Sequence, residues 1–162
     1  MMIDPDTDTF VADVIAAADA EATALLQAST DVSLAPLGPH RESMRRAKLL
    51  VAVFLEPGSA FAGDPAAVAL AETYAGILHD LQSPTGLFLG GDNVESPPDT
   101  GFTINDVGDI LELARRSGDA RLDRVAEVLG GIADRAAPAL LAGGVHTPNH
   151  RWELSAALVR LH

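Results

Sequence analysis

The sequence predicts an all-α fold of antiparallel helical hairpins, and three observations carry that prediction. Apolar residues recur at helical spacing in five separate segments, β-branched alternation is scarce, and Asp64-Pro65 and Thr147-Pro148 each place a capping residue directly before a proline. A side chain that can accept from an orphan N–H, followed by a residue with fixed φ and no N–H of its own, is the local chemistry of a helix start. Of the 162 residues, 48% are hydrophobic but only 4% aromatic, so the apolar share comes largely from Ala, Leu and Val. Ala and Leu favour helix. The length suits a single domain, residues 1–162, with a genuine core.

The first helix is expected over residues 9 to 29, with Phe10, Val11, Val14, Ile15, Ala18, Ala22, Leu25 and Leu26 inward and Asp13, Ala17 and Glu21 on the wetter side. The loop from Ser29 to Pro39 carries prolines and a glycine that stop it. The second element runs from about His40 to Glu56. Its half from Leu49 to Leu55 is apolar all round and could be a buried strand, but it continues a helical segment without a break and so reads as an inner helix. Arg41, Arg45, Arg46 and Lys48 read as a solvated face in preference to a ligand patch. Asp64-Pro65 opens a third helix to about Leu81, with Leu70, Tyr74, Ile77, Leu78 and Leu81 as its stripe. Tyr74, the sole tyrosine, is placed in the core and not assigned as a catalytic phenol. The fourth helix is expected from about Asn105 to Arg116 and the fifth from about Ala120 to Leu141, where Pro138 should kink it or reset its last turn. The sixth starts at Pro148.

Between the third and fourth helices, Gln82 to Thr103 is expected as an ordered loop with a short hairpin near Leu87 to Val94. Asp92, Asn93, Glu95 and Asp99 equip it either as a binding loop or as a packed connector.

Charge and composition remove several function classes. A net charge of −12 with no basic stripe argues against a nucleic-acid partner. With no cysteine there is neither a disulfide framework nor thiolate chemistry. No run is long and apolar enough to span a bilayer, and the opening residues lack a basic and then apolar leader, so a soluble, cytoplasmic protein is expected, with the periplasm left open.

The stretch of greatest chemical interest is Gly143 to Leu154, which gathers His146, Asn149, His150, Arg151 and the single Trp, Trp152. With Thr147 as N-cap and Pro148 at the first helical position, Asn149, His150 and Arg151 occupy the first turn. There the unpaired N–H groups and the positive dipole end favour a carboxylate or another oxyanion. The plainer readings, a surface cap and a core Trp, stand beside it. His146 and His150 are four apart and suggest zinc, but the spacing selects no third ligand, and no metal or cofactor is assigned. No Gly-x-Ser-x-Gly or phosphate-loop pattern occurs, and no carboxylate pair is singled out for glycoside hydrolysis.

The run Thr147-Pro148-Asn149-His150-Arg151-Trp152-Glu153-Leu154-Ser155-Ala156-Ala157-Leu158, with Ser96-Pro97-Pro98-Asp99-Thr100-Gly101-Phe102, resembles the N-terminal region of the heparinase II/III-like polysaccharide lyases. The resemblance implies helical hairpins forming part of an α/α toroid and β-elimination on uronate-containing poly- or oligosaccharides. It implies Asn149 and His150 as the catalytic pair engaging the substrate carboxylate. His146, Arg151, Trp152 and Asp99 are the accompanying substrate-binding candidates. The family's catalytic Tyr and second His would lie beyond His162, so the chain is expected to be an N-terminal fragment, inactive alone. A non-catalytic helical binding or scaffold module and a toroidal glycoside hydrolase fragment are the competing readings. In the fragment reading, Leu154, Leu158 and Leu161 are expected to be underburied and to drive self-association through the open helical edge.

Overall fold

Proline opens every helix among the described residues except the fifth. The computed structural model describes residues 5–91, 94–143 and 147–161, with side chains from Thr9 onward. The helices are α1 (Pro5–Gln27), α2 (Pro39–Leu55), α3 (Pro65–Leu81), α4 (Pro97–Ser117), α5 (Asp123–Leu141) and α6 (Pro148–Leu161), with a 3-10 turn at Ala120–Leu122 before α5. The Asp64 side chain accepts from Ala66 N, and Ser96 Oγ accepts from Asp99 N, so α3 and α4 each have a built cap ahead of the proline.

The protein is all-α, as expected; among the described residues the one non-helical pairing is an isolated antiparallel bridge between Leu89 and Glu95. Four helices close a ring of contacts in the order α2, α3, α5, α4, with α1 laid against α2 and α3 and α6 against α4 and α5. Tyr74, Met44, Leu50, Leu78, Ile104, Ile110, Leu129 and Ile132 are fully buried within the common core. The segment Leu49 to Leu55 is helix, not strand, with Leu50, Val51, Val53 and Phe54 buried.

Three expectations are corrected. The fourth helix begins at Pro97, not near Asn105, so the connector shortens to residues 82–96 and Asp99 stands in a first helical turn. The Ser96 cap and the Pro97-Pro98 pair at N1 and N2 are the reason: prolines there cost no hydrogen bond. The first helix begins at Pro5 and leaves Phe10, Val11, Val14 and Leu26 exposed, because only its Ile15, Ala18, Ala22 and Leu25 side meets the body. Leu154 is buried rather than underburied, while Leu158 and Leu161 are partly covered. Gly101 and Gly108 of α4 let α6 come close: a Cβ at Gly101 would stand 3.3 Å from Leu154 Cδ1, and one at Gly108 would stand 2.8 Å from Arg160 Cβ. What stays exposed at that end is Leu141 and Val159, which flank an apolar groove of about 550 Å³ between α5 and α6.

The connector is pinned from below. Gly86 has φ +89, and a Cβ there would drive into the Arg135 carbonyl on α5, while the Gln82 side chain donates to Gly86 O at 2.9 Å and Ile132 O at 3.0 Å. Gly86→Ala is therefore expected to lower unfolding stability by about 3 kcal/mol, combining left-handed strain with overpacking. Gly118→Ala, at φ +62 but with open space around it, should lose only about 1 kcal/mol. Urea midpoints measure both, and equal losses would show that the close approach at Gly86 carries no weight.

Candidate functional site

The site is assembled around a buried histidine at the start of α2. Gly38, at φ 91, turns the chain so that Pro39 begins the helix and His40 points inward, 4% exposed. His40 Nδ1 lies 2.8 Å from Thr103 Oγ1 on α4, and its ring stacks on Phe88 of the connector with centroids 5.0 Å apart and planes within 9°. Phe88 N donates to Thr100 Oγ1 at 2.9 Å. Burial holds the His40 pKa down to about 4, against a smaller opposing pull from the Asp99 carboxylate. The imidazole is therefore neutral at ordinary pH.

The residues next in sequence to this node turn elsewhere. Arg41 and Phe102 line a cavity of about 300 Å³ between α2, α4 and α6, together with Leu37, Arg45, Asn105 and Glu153. The Arg41 guanidinium carbon sits 4.2 Å above the Phe102 ring centroid, and its nearest acid among the described residues is Asp99 at 3.9 Å. Across the cavity Asn105 Nδ2 donates to Glu153 Oε1 at 2.5 Å and to Glu153 O at 3.2 Å, which ties α4 to α6.

The other cations of α2 are paired with acids, Arg45 while remaining solvent-exposed as a solvated face requires. Arg45 bonds Glu42 at 2.8 Å and also pairs with Glu21 of α1. Arg46 bonds Glu42 at 2.7 Å and donates to the buried Tyr74 hydroxyl at 3.0 Å. Lys48 bridges Asp106 at 2.7 Å and Asp109 at 2.6 Å on α4. The bonds from Arg45 and Arg46 hold the Glu42 carboxyl down at about 2, against its partial burial.

Of the candidates read from the sequence, His146 lies outside the described residues. Arg151 N donates to Thr147 O at 3.2 Å, which makes Thr147 the residue whose carbonyl takes the first helical bond of α6. Asn149 and Arg151 are exposed, His150 is half-buried, and Trp152 is 79% exposed. On a helix of 3.6 residues per turn, Asn149 and Trp152 are neighbours on one outer face, whereas His150 shares its side with the buried Leu154. The structure thus brings Asn149 and Trp152 together and turns His150 about 100° away. Asn149 is one turn before Glu153, and Asp99 one turn before Thr103, both of which line the cavity. Asp99 faces Arg41 from the first turn of α4.

Arg41, Phe102, Asn105 and Glu153 were missed as site residues by sequence reasoning, since nothing in their spacing shows that α2, α4 and α6 converge. Among the described residues no group of three or more His, Cys, Asp or Glu side chains is placed to hold a metal ion. No protein-family model, curated protein or solved structure matches the chain.

The depressed His40 pKa sets a pH dependence. An unfolded imidazole takes its proton near 6.5 and the folded one near 4, so between those values the unfolded state binds more protons and stability falls as pH falls. The expected loss is about 3 kcal/mol across that window. Urea unfolding at pH 7 and pH 4.5 should show most of it, and His40→Gln should flatten that slope. An unchanged slope in the variant would place the acid sensitivity elsewhere.

Proposed function

We propose that this chain is a helical binding module for carboxylate-bearing oligosaccharides of the uronate class, holding them at the start of α6 without turning them over by itself. In this reading the helices correspond to part of the α/α toroid of a heparinase II/III-like lyase, Asn149 and His150 are the pair that would meet the substrate carboxylate, and Arg151 and Trp152 extend the contact. The observation that carries it is Trp152: the single Trp of an aromatic-poor chain stands 79% exposed, one helical turn from the exposed Asn149. An exposed indole is an amphipathic plate suited to the apolar face of a sugar ring, and the helix start supplies a favourable place for its carboxylate. Binding without elimination is favoured because the only Tyr, Tyr74, is fully buried with its hydroxyl bonded by Arg46, so no tyrosine of this chain can move a proton on a bound sugar.

The groove between α5 and α6, flanked by exposed Leu141 and Val159, supports a second reading: a scaffold that self-associates or takes an apolar partner along that edge.

Because Trp152 is the only indole, its fluorescence reports directly on the proposed surface. Oligogalacturonate is expected to shift or quench it saturably, and a neutral malto-oligosaccharide of equal length is not. Asn149→Ala should weaken binding by about ten-fold, the loss of one charge-assisted hydrogen bond, with the melting temperature unchanged. Equal responses to the charged and neutral sugars would exclude the proposal.

A further inference from the structure

We propose that the cavity between α2, α4 and α6 is a receptor for a small monocarboxylate with an apolar body, and that Arg41 is the group that receives the carboxylate. This site is distinct from the outer face of α6 and does not depend on a sugar binding there.

The argument begins with how the cations are used. The chain has 11 Lys and Arg against 23 Asp and Glu, so acids are in excess everywhere. On α2, Arg45, Arg46 and Lys48 each reach a carboxylate at 2.8 Å or closer. Arg41 does not: among the described residues its nearest acid is Asp99 at 3.9 Å, beyond hydrogen-bond distance. A guanidinium carries five N–H donors in one plane and stacks readily on aromatic faces. The Arg41 guanidinium carbon lies over the Phe102 ring, 4.2 Å from its centroid. That contact holds the side chain in place, and no hydrogen bond among the described residues takes its N–H donors, which leaves them for a carboxylate to accept from, in bidentate fashion where it reaches two of them.

The surroundings select the rest of the ligand. The acids at the other side of the cavity are already engaged, Glu153 by Asn105 and Asp106 by Lys48. Leu37, 62% exposed above the cavity, and the Phe102 ring offer apolar contact, and Arg45, the other cation that lines it, is already held by Glu42 and Glu21. A space of about 300 Å³ is at the lower end of small-molecule sites. A single carboxylate on a compact apolar frame satisfies all of these, whereas a dianion would leave its second charge facing Glu153 and Asp106.

The test is a titration of the full chain followed by two-dimensional NMR, with benzoate as probe and benzamide as its uncharged counterpart. Benzoate is expected to bind saturably, shifting amides of residues around 41, 102 and 105, and benzamide at least about ten-fold more weakly. Arg41→Met should weaken benzoate by about ten-fold or more, and Arg41→Lys should recover only part of the loss, because an ammonium lacks the planar fork. Asp99→Asn, which removes the one acid near Arg41, should bind benzoate as tightly as the parent or more tightly. Equal binding of benzoate and benzamide, a titration that never saturates, or full benzoate affinity in a folded Arg41→Met variant would each overturn the assignment. Asn149→Ala and Trp152→Ala serve as controls: they test the α6 surface and should leave benzoate binding unchanged, and a loss there would overturn the separation of the two sites.

Discussion

The contact on which the rest of the site depends is the buried stack of His40 on Phe88, closed by Thr103. It joins three pieces of chain distant in sequence: the start of α2, the connector, and the second turn of α4. A polar ring can occupy such a place only if it is uncharged and hydrogen-bonded, which Thr103 and the burial itself secure. Thr100, a turn earlier on α4, has the matching role and accepts from the Phe88 backbone. Because neighbouring residues on a helix point in different directions, burying His40, Thr100 and Thr103 turns Arg41 and Phe102 toward the cavity and sets Asp99 beside Arg41. The arrangement of the polar site is thus a by-product of how the apolar and neutral residues beside it pack.

The second constraint is the close approach of α6. Its buried side consists of little more than Leu154 and Ala157, with partial cover for Leu158 and Leu161. Two glycines on α4, seven residues apart, create the room, and polar links then define the register: Asn105 to Glu153, and Arg160 to Asp109, which Lys48 also holds. An ion pair as exposed as Arg160 with Asp109 adds little net stability. The effect of these links is to specify one seating of a helix whose apolar contact alone would tolerate several.

How much of this was legible in the sequence follows the range of the interaction. Helix starts are local chemistry, and Asp64-Pro65 and Thr147-Pro148 announced α3 and α6 correctly. Ser96-Pro97 is the same signal, but with a second proline and a glycine-bearing turn behind it the stretch reads as loop, and the first two turns of α4 are hidden. Tyr74 was legible as core because it lies on a helical stripe. The outer face of α1 was not, since periodicity shows that a helix has an apolar side and not how much partner there is to cover it. Phe10 and Val14 stay exposed for that reason. For Trp152 the sequence left two readings, core by residue type and binding surface by its place beside Asn149 and His150, and its 79% exposure sets aside the first. The pairing of cations was legible only where it is local: Glu42 stands three and four residues before Arg45 and Arg46 on one helix, whereas the partners of Lys48 on α4 and the lack of a close acid at Arg41 depend on which helices the fold brings near.

The difference between Arg41 and the other cations of α2 decides what a strongly acidic protein can do with an anion. Long-range attraction works against any negatively charged ligand of a chain at −12. Recognition must therefore come from donors that act within hydrogen-bond distance, in a place where most nearby carboxylates already have partners. The interface of α2, α4 and α6 meets that condition, because the same salt bridges that seat the helices also occupy Glu42, Asp106 and Asp109. Packing and recognition are then not separate features of the fold: the ion pairs that define how the helices sit also determine which guanidinium of α2 is left with donors to spare.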